Sequence, residues 1–287
     1  MNEKNNSICL LSDVDNVESF LKSLFGSSSS KIKKYFSKKI LNRSLKKGAL
    51  LELPFEFSND GLINPAYVGP AISIIEEKGP FLAFDKPHNL FIHPLHYNES
   101  NNCLSFFRSI KRFDLLKVNE GHYDRGLLYR LDYETSGVVI YVKDNLVYHK
   151  LRDDFATIAK EKIYHCWVAG LEIKEGTHLH SFSHAEAKGK RVVVGDPHQY
   201  EVQGELSLRV LKKDLEKKQS LVEVKLKTGL RHQIRAQLAF LGNPLIGDEF
   251  YGGPKAQRLY LHAHKYHIVH EGKDYLFEST PSEFNGL

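Results

Sequence analysis

The sequence predicts an α+β fold built on a large mixed or antiparallel sheet. Short runs rich in β-branched and aromatic residues recur along the chain, and clusters of Gly, Pro, Asn and Asp separate them. Single helical segments are set among these runs. Many strands with helices placed singly among them are typical of an α+β domain. At 287 residues, the chain is long enough for one large domain or two modest ones.

The N-terminal region predicts a small α/β unit. Apolar residues at helical spacing predict one helix over residues 13–25, capped by Ser12 or Asp13, and a second over residues 31–40. A serine tract separates the two helices, and a strand over residues 49–57 follows them. The turn-rich residues after this strand predict a domain boundary. We therefore expect one domain over residues 1–65 and another over residues 71–287.

The second of these helices is strongly basic. The segment from residue 31 to residue 47 holds eight Lys and Arg residues and no Asp or Glu. An uncompensated basic stripe is the footprint expected of a protein that binds a phosphate backbone. The alternative is a solvated surface face. Five of these cations are candidate nucleic-acid contacts: Lys33, Lys34, Lys38, Lys39 and Arg43.

The second domain is predicted to be a series of strands with three helices among them. The expected helices cover residues 104–113 and 145–156 and part of 228–241, where Gly242 is the C-cap. Residues 212–218 are expected to form a charged loop. The expected strands cover residues 71–75, 81–84, 138–142, 160–171, 191–194, 204–211, 220–226, 260–269 and 275–278.

Arg130 and Asp132 lie where a polar turn that ends at Gly137 leads into a buried strand. If this segment is extended, both side chains point to the same face. A guanidinium beside a carboxylate favours its charged form, which suits a nucleophile or a base. A structural ion pair is the alternative.

Another segment that could bind a ligand or take part in catalysis runs from Thr228 to Arg235. The spacing places Arg231 and Arg235 on one face near the start of a helix, where cations oppose the helix dipole. A docked phosphate, held by backbone N–H groups and the guanidinium, would explain such an arrangement. The alternative is an exposed arginine pair on an ordinary amphipathic helix.

Three widely spaced cysteines, Cys9, Cys103 and Cys166, exclude a disulfide framework and a Cys-rich zinc site. They fit a reducing cytoplasm, and no secretory signal or membrane-spanning run is recognisable. The formal net charge of +5 favours an anionic partner. Alternating histidines offer a zinc enzyme as an alternative, although strand histidines are the simpler interpretation. These histidines are His178, His180, His184, His262, His264, His267 and His270.

Four motifs in order closely resemble the RluA-type family of RNA pseudouridine synthases. They are Arg-Leu-Asp-x-x-Thr-Ser-Gly, Lys-x-Tyr, Thr-Gly-x-x-His-Gln-Ile-Arg and Gly-Asp-x-x-Tyr-Gly. Asp85-Lys86-Pro87, His93-Pro94 and Leu261-His262-Ala263 resemble lesser landmarks of the family. The resemblance covers about residues 71–284 and implies a pseudouridine synthase-like catalytic domain. More loosely, the N-terminal region resembles the small RNA-binding domain that many of these enzymes carry.

The resemblance implies an isomerase that converts uridines of ribosomal or transfer RNA to pseudouridine, without a cofactor or a metal. It implies that Asp132 is the essential catalytic residue and that Tyr164 stacks on the uracil and helps the carbon-5 proton leave. Arg130 would insert toward the RNA or hold the place of the flipped base. We expect a cytoplasmic monomer with no membrane partner. The alternative is a non-catalytic RNA-binding or assembly factor with the same fold. The third motif supplies further candidate RNA contacts: Arg231, His232, Gln233 and Arg235.

The chain departs from the family pattern at two positions. Tyr129 stands where the family usually has His, from which we expect a changed RNA contact. Leu230 stands where the family usually has an Arg that is thought to pair with the catalytic Asp. Either Arg231 reaches Asp132 instead, or Arg130 remakes the pair, or activity is weak.

Overall fold

The structure of the chain is a computed structural model. It describes residues 6–25, 27–54, 57, 63–94, 99–120, 122, 124–183 and 191–284. Two compact units are present: Met1–Gly69 with Phe91–Gly126, and Pro70–Leu90 with Leu127–Leu287. Within the described ranges, no helix is both long enough and apolar enough to cross a membrane.

The first unit combines a two-stranded antiparallel sheet with short helices. Its elements are β1 (Asn6–Cys9), α1 (Val17–Phe25), α2 (Ser29–Tyr35), α3 (Lys38–Leu41), β2 (Leu50–Leu53), α4 (Cys103–Ser109) and α5 (Phe113–Leu116). β1 pairs with β2, and a cluster of buried side chains from α1, α2, α3 and β2 forms the core. Residues 91–126 group with the first unit, whereas the sequence-based division placed them in the second domain. The division into domains over residues 1–65 and 71–287 stays a prediction.

The prediction of one continuous helix over residues 31–40 was wrong. Phe36 is extended and ends α2, and Ser37 caps α3 by accepting a hydrogen bond from the N–H of Ile40 at 3.4 Å. A serine that binds the backbone in this way favours a new helix start over a helix interior. The helix expected from residue 13 also begins later, at Val17, where Asn16 accepts a hydrogen bond from the N–H of Ser19.

The second unit is organised around one ten-stranded mixed sheet. Its strands are β3 (Ser73–Lys78), β4 (Phe81–Lys86), β5 (Ser136–Val142), β6 (Ala159–Ala169), β7 (Gly176–Phe182), β8 (Val194–Gly195), β9 (Val202–Asp214), β10 (Gln219–Leu226), β11 (Leu261–His270) and β12 (Lys273–Glu278). The order is β3-β4-β5-β11-β6-β10-β9-β7-β8, with β12 paired to β11. β5 and β11 are parallel and the other pairs are antiparallel. The predicted α+β class with a large mixed sheet is confirmed.

Among the described residues of the second unit, two helices and two single 3₁₀ turns accompany the sheet. They are α6 (Asn145–Ile158), α7 (Gln233–Phe240), Glu249–Tyr251 and Ser282–Phe284. Asp144 caps α6 by accepting a hydrogen bond from the N–H of Val147 at 2.9 Å. The sequence did not predict β1 or β7, and the charged loop expected from residue 212 begins later, because β9 continues to Asp214.

β5 occupies a central place in the sheet, and all seven of its residues are buried. Gly137 lies inside this strand with φ 117°, not in the turn where the sequence placed it. A Cβ at this position would lie 2.3 Å from the carbonyl oxygen of Ala263 in β11. Only glycine therefore allows the two parallel strands to approach so closely.

Candidate active site

Asp132 lies in the loop that leads into β5. Its carbonyl oxygen accepts a hydrogen bond from the N–H of Thr135 at 3.2 Å, which closes a tight turn. The fully buried ammonium of Lys86 donates to the carbonyl oxygens of Tyr133, Leu90 and Pro87 at 3.1, 2.7 and 3.0 Å. The Lys-Pro landmark of the sequence thus fixes the loop that carries Asp132.

Arg235 is the guanidinium that faces Asp132. Its Nη1 lies 3.6 Å from Oδ2 of Asp132, and its Nε and Nη2 each donate to the carboxylate of Asp248 at 2.8 Å. Burial lowers the pKa of Arg235, but the hydrogen bonds and charge of Asp248 outweigh it and leave that pKa raised. The side chain is 4% exposed and that of Asp248 is fully buried. From the sequence we expected Arg231 or Arg130 to pair with Asp132, but the partner in the structure is Arg235. The carboxylate of Asp132 is therefore paired although Leu230 replaces the family's arginine.

Arg231 and Arg235 do not share a helix face, so that prediction was wrong. His232 adopts a left-handed conformation with φ 53° and ψ 20°, and α7 begins only at Gln233. The left-handed residue reverses the chain just before the helix. Arg231 therefore precedes the helix and is exposed, whereas Arg235 is buried.

Gln233 is buried, and its amide is used inside the protein. Its oxygen accepts hydrogen bonds from the Thr228 hydroxyl and the N–H of Leu230 at 2.8 and 3.0 Å. Its nitrogen donates to the Glu205 carbonyl oxygen and to the Gln237 side chain at 3.2 and 3.0 Å. These four bonds use the hydrogen-bonding capacity of a primary amide. The side chain therefore holds the loop before α7 in place, and a contact between Gln233 and RNA stays a prediction.

His232 lies between Asp132 and Tyr251. Its Nε2 is 3.9 Å from Oδ2 of Asp132, and its Nδ1 is 3.0 Å from the hydroxyl oxygen of Tyr251. That hydroxyl also accepts a hydrogen bond from the N–H of Val192 at 3.0 Å. Burial lowers the pKa of His232 and outweighs the opposite effect of Asp132. The imidazole is therefore largely neutral at pH 7.

Tyr164 contributes a buried ring to the pocket that contains Asp132 and His232, and its hydroxyl lies 2.6 Å from that of Tyr266. Burial raises the pKa of Tyr164 to about 12, so the phenol is neutral at pH 7. Tyr129 stacks on Tyr266 with a centroid distance of 4.5 Å, and its hydroxyl donates to the carbonyl oxygen of Val138. Tyr129 is half-buried and stacks on Tyr266 and Phe155, and the changed RNA contact expected at this position stays a prediction.

These side chains surround an open pocket of about 70 Å³. The pocket brings together six of the candidate residues: Arg130, Asp132, Tyr164, His232, Gln233 and Arg235. Apolar side chains complete its walls: Leu131, Leu226, Leu230, Ile234 and Leu261. Arg130 is exposed, and the side chain of Asp132 is 30% exposed, so both are within reach of a ligand. A carboxylate, a neutral tyrosine and apolar walls suit a flat, polar-edged ring.

The candidate cations of the first unit lie on α2 and α3 and just after them, and all are exposed: Lys33, Lys34, Lys38, Lys39 and Arg43. Glu18 lies 3.4 Å from Lys33, and the hydroxyl of Tyr35 accepts a hydrogen bond from Lys34. A second acid contacts the basic segment, because the carboxylate of Asp13 lies 2.8 Å from Nζ of Lys46. The segment thus has acidic neighbours that its own composition did not reveal.

The histidines have structural partners. His178 contacts the Lys174 carbonyl oxygen, His180 the Gln237 amide, and His267 the carboxylate of Asp274. His262 is fully buried between Ser136 and the Ser279 carbonyl oxygen. His184 lies outside the described residues. Within the described part of the chain, no three His, Cys, Asp or Glu residues could hold a metal ion together.

Several residues that shape the site were given no role by the sequence. Asp248 and Tyr251 belong to the Gly-Asp-x-x-Tyr-Gly motif, which could have pointed to them. Lys86 belongs to a landmark motif in the same way. Tyr266 carried no signal, because only the pairing of β11 with β6 brings it to Tyr164.

Comparisons with known proteins identify the family of the chain. A family model described as RNA pseudouridylate synthase matches residues 80–240. An uncharacterized RNA pseudouridine synthase of Helicobacter pylori is 34% identical over 203 residues, which cover 65% of this chain and 74% of that protein. Ribosomal large subunit pseudouridine synthase D of Borreliella burgdorferi is 28% identical over 241 residues, or 76% of this chain and 67% of that protein. The structure of human RNA pseudouridylate synthase domain containing 1 shares the fold, with a TM-score of 0.59 and 20% identity over 74% of this chain and 84% of that chain.

Proposed function

Because the chain belongs to the RNA pseudouridylate synthase family, we propose that it isomerises specific uridines of ribosomal or transfer RNA to pseudouridine. One observation carries the proposal. Asp132 is held at the pocket by a buried guanidinium, and Tyr164 lines the same pocket. A carboxylate and an aromatic ring placed together are what this isomerisation requires. The ribosomal choice is supported by the similarity to a ribosomal large subunit pseudouridine synthase.

Asp132 starts the reaction in this proposal. Its carboxylate attacks the ribose or removes a proton, and the bond between the ribose and the ring nitrogen breaks. The uracil then rotates, and its carbon-5 bonds to the same ribose carbon. As this bond forms, the bond between Asp132 and the ribose breaks if the carboxylate attacked; if the carboxylate took a proton instead, that proton returns to the ribose. A proton leaves carbon-5 and one is returned to the ring nitrogen, so the product is an isomer of the substrate. Arg235 holds the carboxylate in place, because its own position is fixed by Asp248.

Tyr164 holds the uracil while it turns. Its ring lines the pocket, and its hydroxyl is directed to Tyr266 in the interior. The hydroxyl is thereby oriented, and the face of the ring can stack on the base. We also propose that Tyr164 helps the proton leave carbon-5 by positioning the base, and not as the proton acceptor, because its hydroxyl is bound to that of Tyr266.

Arg130 stands at the exposed edge of the pocket. The target base must leave its stack to reach Asp132, at a cost of about a few kcal/mol. A cation at this edge can contact a phosphate or occupy the place of the flipped base, which offsets part of that cost.

The first unit supplies a separate RNA contact in this proposal. Lys38, Lys39 and Arg43 are exposed on or next to α3 and attract the phosphate backbone. We assign residues 1–65 to RNA binding and residues 71–287 to catalysis, in a monomeric cytoplasmic enzyme that uses no cofactor and no metal.

The test is to map pseudouridine in ribosomal and transfer RNA from cells with and without the gene. Complementation uses the wild type, Asp132→Asn and Glu134→Gln. Glu134 is the matched control, because its carboxylate also contacts Arg235 at 3.5 Å. We expect loss of the mark at one or a few uridines and its restoration by wild type and Glu134→Gln. Asp132→Asn should leave the rate at least about a hundred-fold lower. If no uridine changes while the protein binds RNA, the chain is a binding or assembly factor instead.

A further inference from the structure

We propose that Phe250 and Arg191 form a second base-binding subsite, which takes a nucleobase next to the target uridine in the RNA. The inference rests on the proposed function, since it concerns the RNA that would fill the pocket. Phe250 lies in the 3₁₀ turn Glu249–Tyr251, and 36% of it is exposed. An exposed phenylalanine alone is common on protein surfaces. Its position and its neighbours distinguish this one.

Only the side chain of His232 separates Phe250 from the carboxylate of Asp132. Its ring meets the ring of His232 edge to face, with centroids 5.9 Å apart. Nε2 of His232 in turn lies 3.9 Å from Asp132. A base that stacks on Phe250 would thus lie about one nucleotide from a uracil in the pocket.

The ring of Phe250, the platform on which a base would stack, is held in place by its neighbour in the chain. Tyr251, the next residue, contacts His232 at Nδ1 and accepts a hydrogen bond from the N–H of Val192. These two bonds join the 3₁₀ turn to the segment before α7 and to the segment that carries Arg191. A platform that is fixed before binding loses little entropy when the RNA arrives.

Cations surround the ring. The guanidinium carbon of Arg191 lies 5.4 Å from the centroid of Phe250, and that of Arg235 lies 5.9 Å away. Arg191 and Arg231 are exposed, and Glu249 is an exposed acid in the same turn. Unstacked RNA bases bind to aromatic rings and to guanidinium planes, while arginines also contact phosphates. Because every base has a flat face, such a subsite accepts any base.

The test measures binding of a fluorescein-labelled nonauridylate at low salt by fluorescence anisotropy. Phe250→Ala should raise Kd by about 5- to 150-fold, which is the effect of losing one base stack. Phe250→Tyr keeps an aromatic face and should stay within about three-fold of wild type. Phe250→Leu keeps apolar packing without a flat face and should weaken binding, even if Phe250→Ala fails to fold.

Phe240→Ala is the matched control. This phenylalanine is 46% exposed, and its ring packs on His180 instead of beside the pocket. Its removal should leave Kd within about two-fold. If Phe250→Ala and Phe250→Leu bind as tightly as Phe240→Ala, the subsite does not exist. Arg191→Gln should also reduce the slope of log K against log salt by about 0.7, the value for one phosphate contact on a single strand.

Pseudouridine formation by the same variants separates this inference from the proposed function. If the wild type forms pseudouridine and Phe250→Ala has the same kcat/KM, the subsite fails and the function stands. If the wild type forms none but Phe250 still governs Kd, the function fails and the subsite stands.

Discussion

Replacement of Arg235 by methionine should be among the most destabilising single changes in the second unit. Methionine has a comparable length but no charge, so the fully buried carboxylate of Asp248 would lose both of its 2.8 Å hydrogen bonds. Removing one partner of a buried ion pair costs about 3–5 kcal/mol, because the other charge is left uncompensated. Urea denaturation followed by circular dichroism gives the free energy of unfolding.

The control for this experiment is Arg231→Met. Arg231 is the exposed arginine that the sequence considered as the partner of Asp132, and its loss should change the free energy of unfolding by less than about 0.5 kcal/mol. Replacing both members of the pair, as Arg235→Met with Asp248→Leu, should cost clearly less than the sum of the single changes. A loss below about 1 kcal/mol for Arg235→Met, or additive losses in the double variant, would refute the reasoning.

Three further outcomes are expected. Burial lowers the pKa of His165 to about 4, so between about pH 6.5 and pH 4 this histidine is protonated in the unfolded chain but neutral in the folded chain. The free energy of unfolding should therefore fall as the pH drops from about 6.5 to 4, by at most about 1.4 kcal/mol per pH unit for this group, and His165→Phe should flatten that slope in pH-dependent urea titrations. Leu230→Arg should not raise kcat in pseudouridine assays, because Arg235 already faces Asp132; a ten-fold gain would contradict this. Gly137→Ala should lower the free energy of unfolding by about 2–4 kcal/mol, because the clash with the neighbouring strand adds to the cost of a positive φ of 117°. Gly242→Ala, with φ 85° and open space around it, should lower it by only about 1 kcal/mol, and equal losses would disprove the clash.

The sheet could be predicted from the sequence because most strands carry their own signal. β5 is a continuous β-branched run, and β10 alternates in a way that matches its burial. β7 (Gly176–Phe182) was missed because it includes two buried histidines, which are held by hydrogen bonds and carry no hydrophobic signal. His178 bonds to the carbonyl oxygen of Lys174 just before the strand, and His180 bonds to Gln237 in α7. Local pattern cannot show a burial that depends on distant partners.

The break between α2 and α3 shows the opposite error. Apolar residues at helical spacing continue through Phe36, so periodicity favoured a single helix. Periodicity records only which side chains face the core. Ser37 competes for the backbone N–H groups, and the apolar face survives the break because Ile32, Phe36 and Leu41 still reach the same cluster.

The pairing of Asp132 shows why a motif can be recognised correctly while its geometry is misjudged. From the sequence we expected the cation at the position of Leu230 or at the neighbouring Arg231, because a sequence gives only the separation of residues along the chain and not their distance in space. In the structure, Leu230 is half-buried: it packs against an apolar cluster of Phe182, Val192 and Ala236, and it also lines the open pocket. The left-handed turn at His232 then directs α7 so that Arg235, buried by its bond to Asp248, faces the carboxylate. A departure from a family motif therefore weakens a function only if the substituted side chain was the one that made the contact. Here Arg235, five positions after Leu230 and inside α7, makes the contact with Asp132.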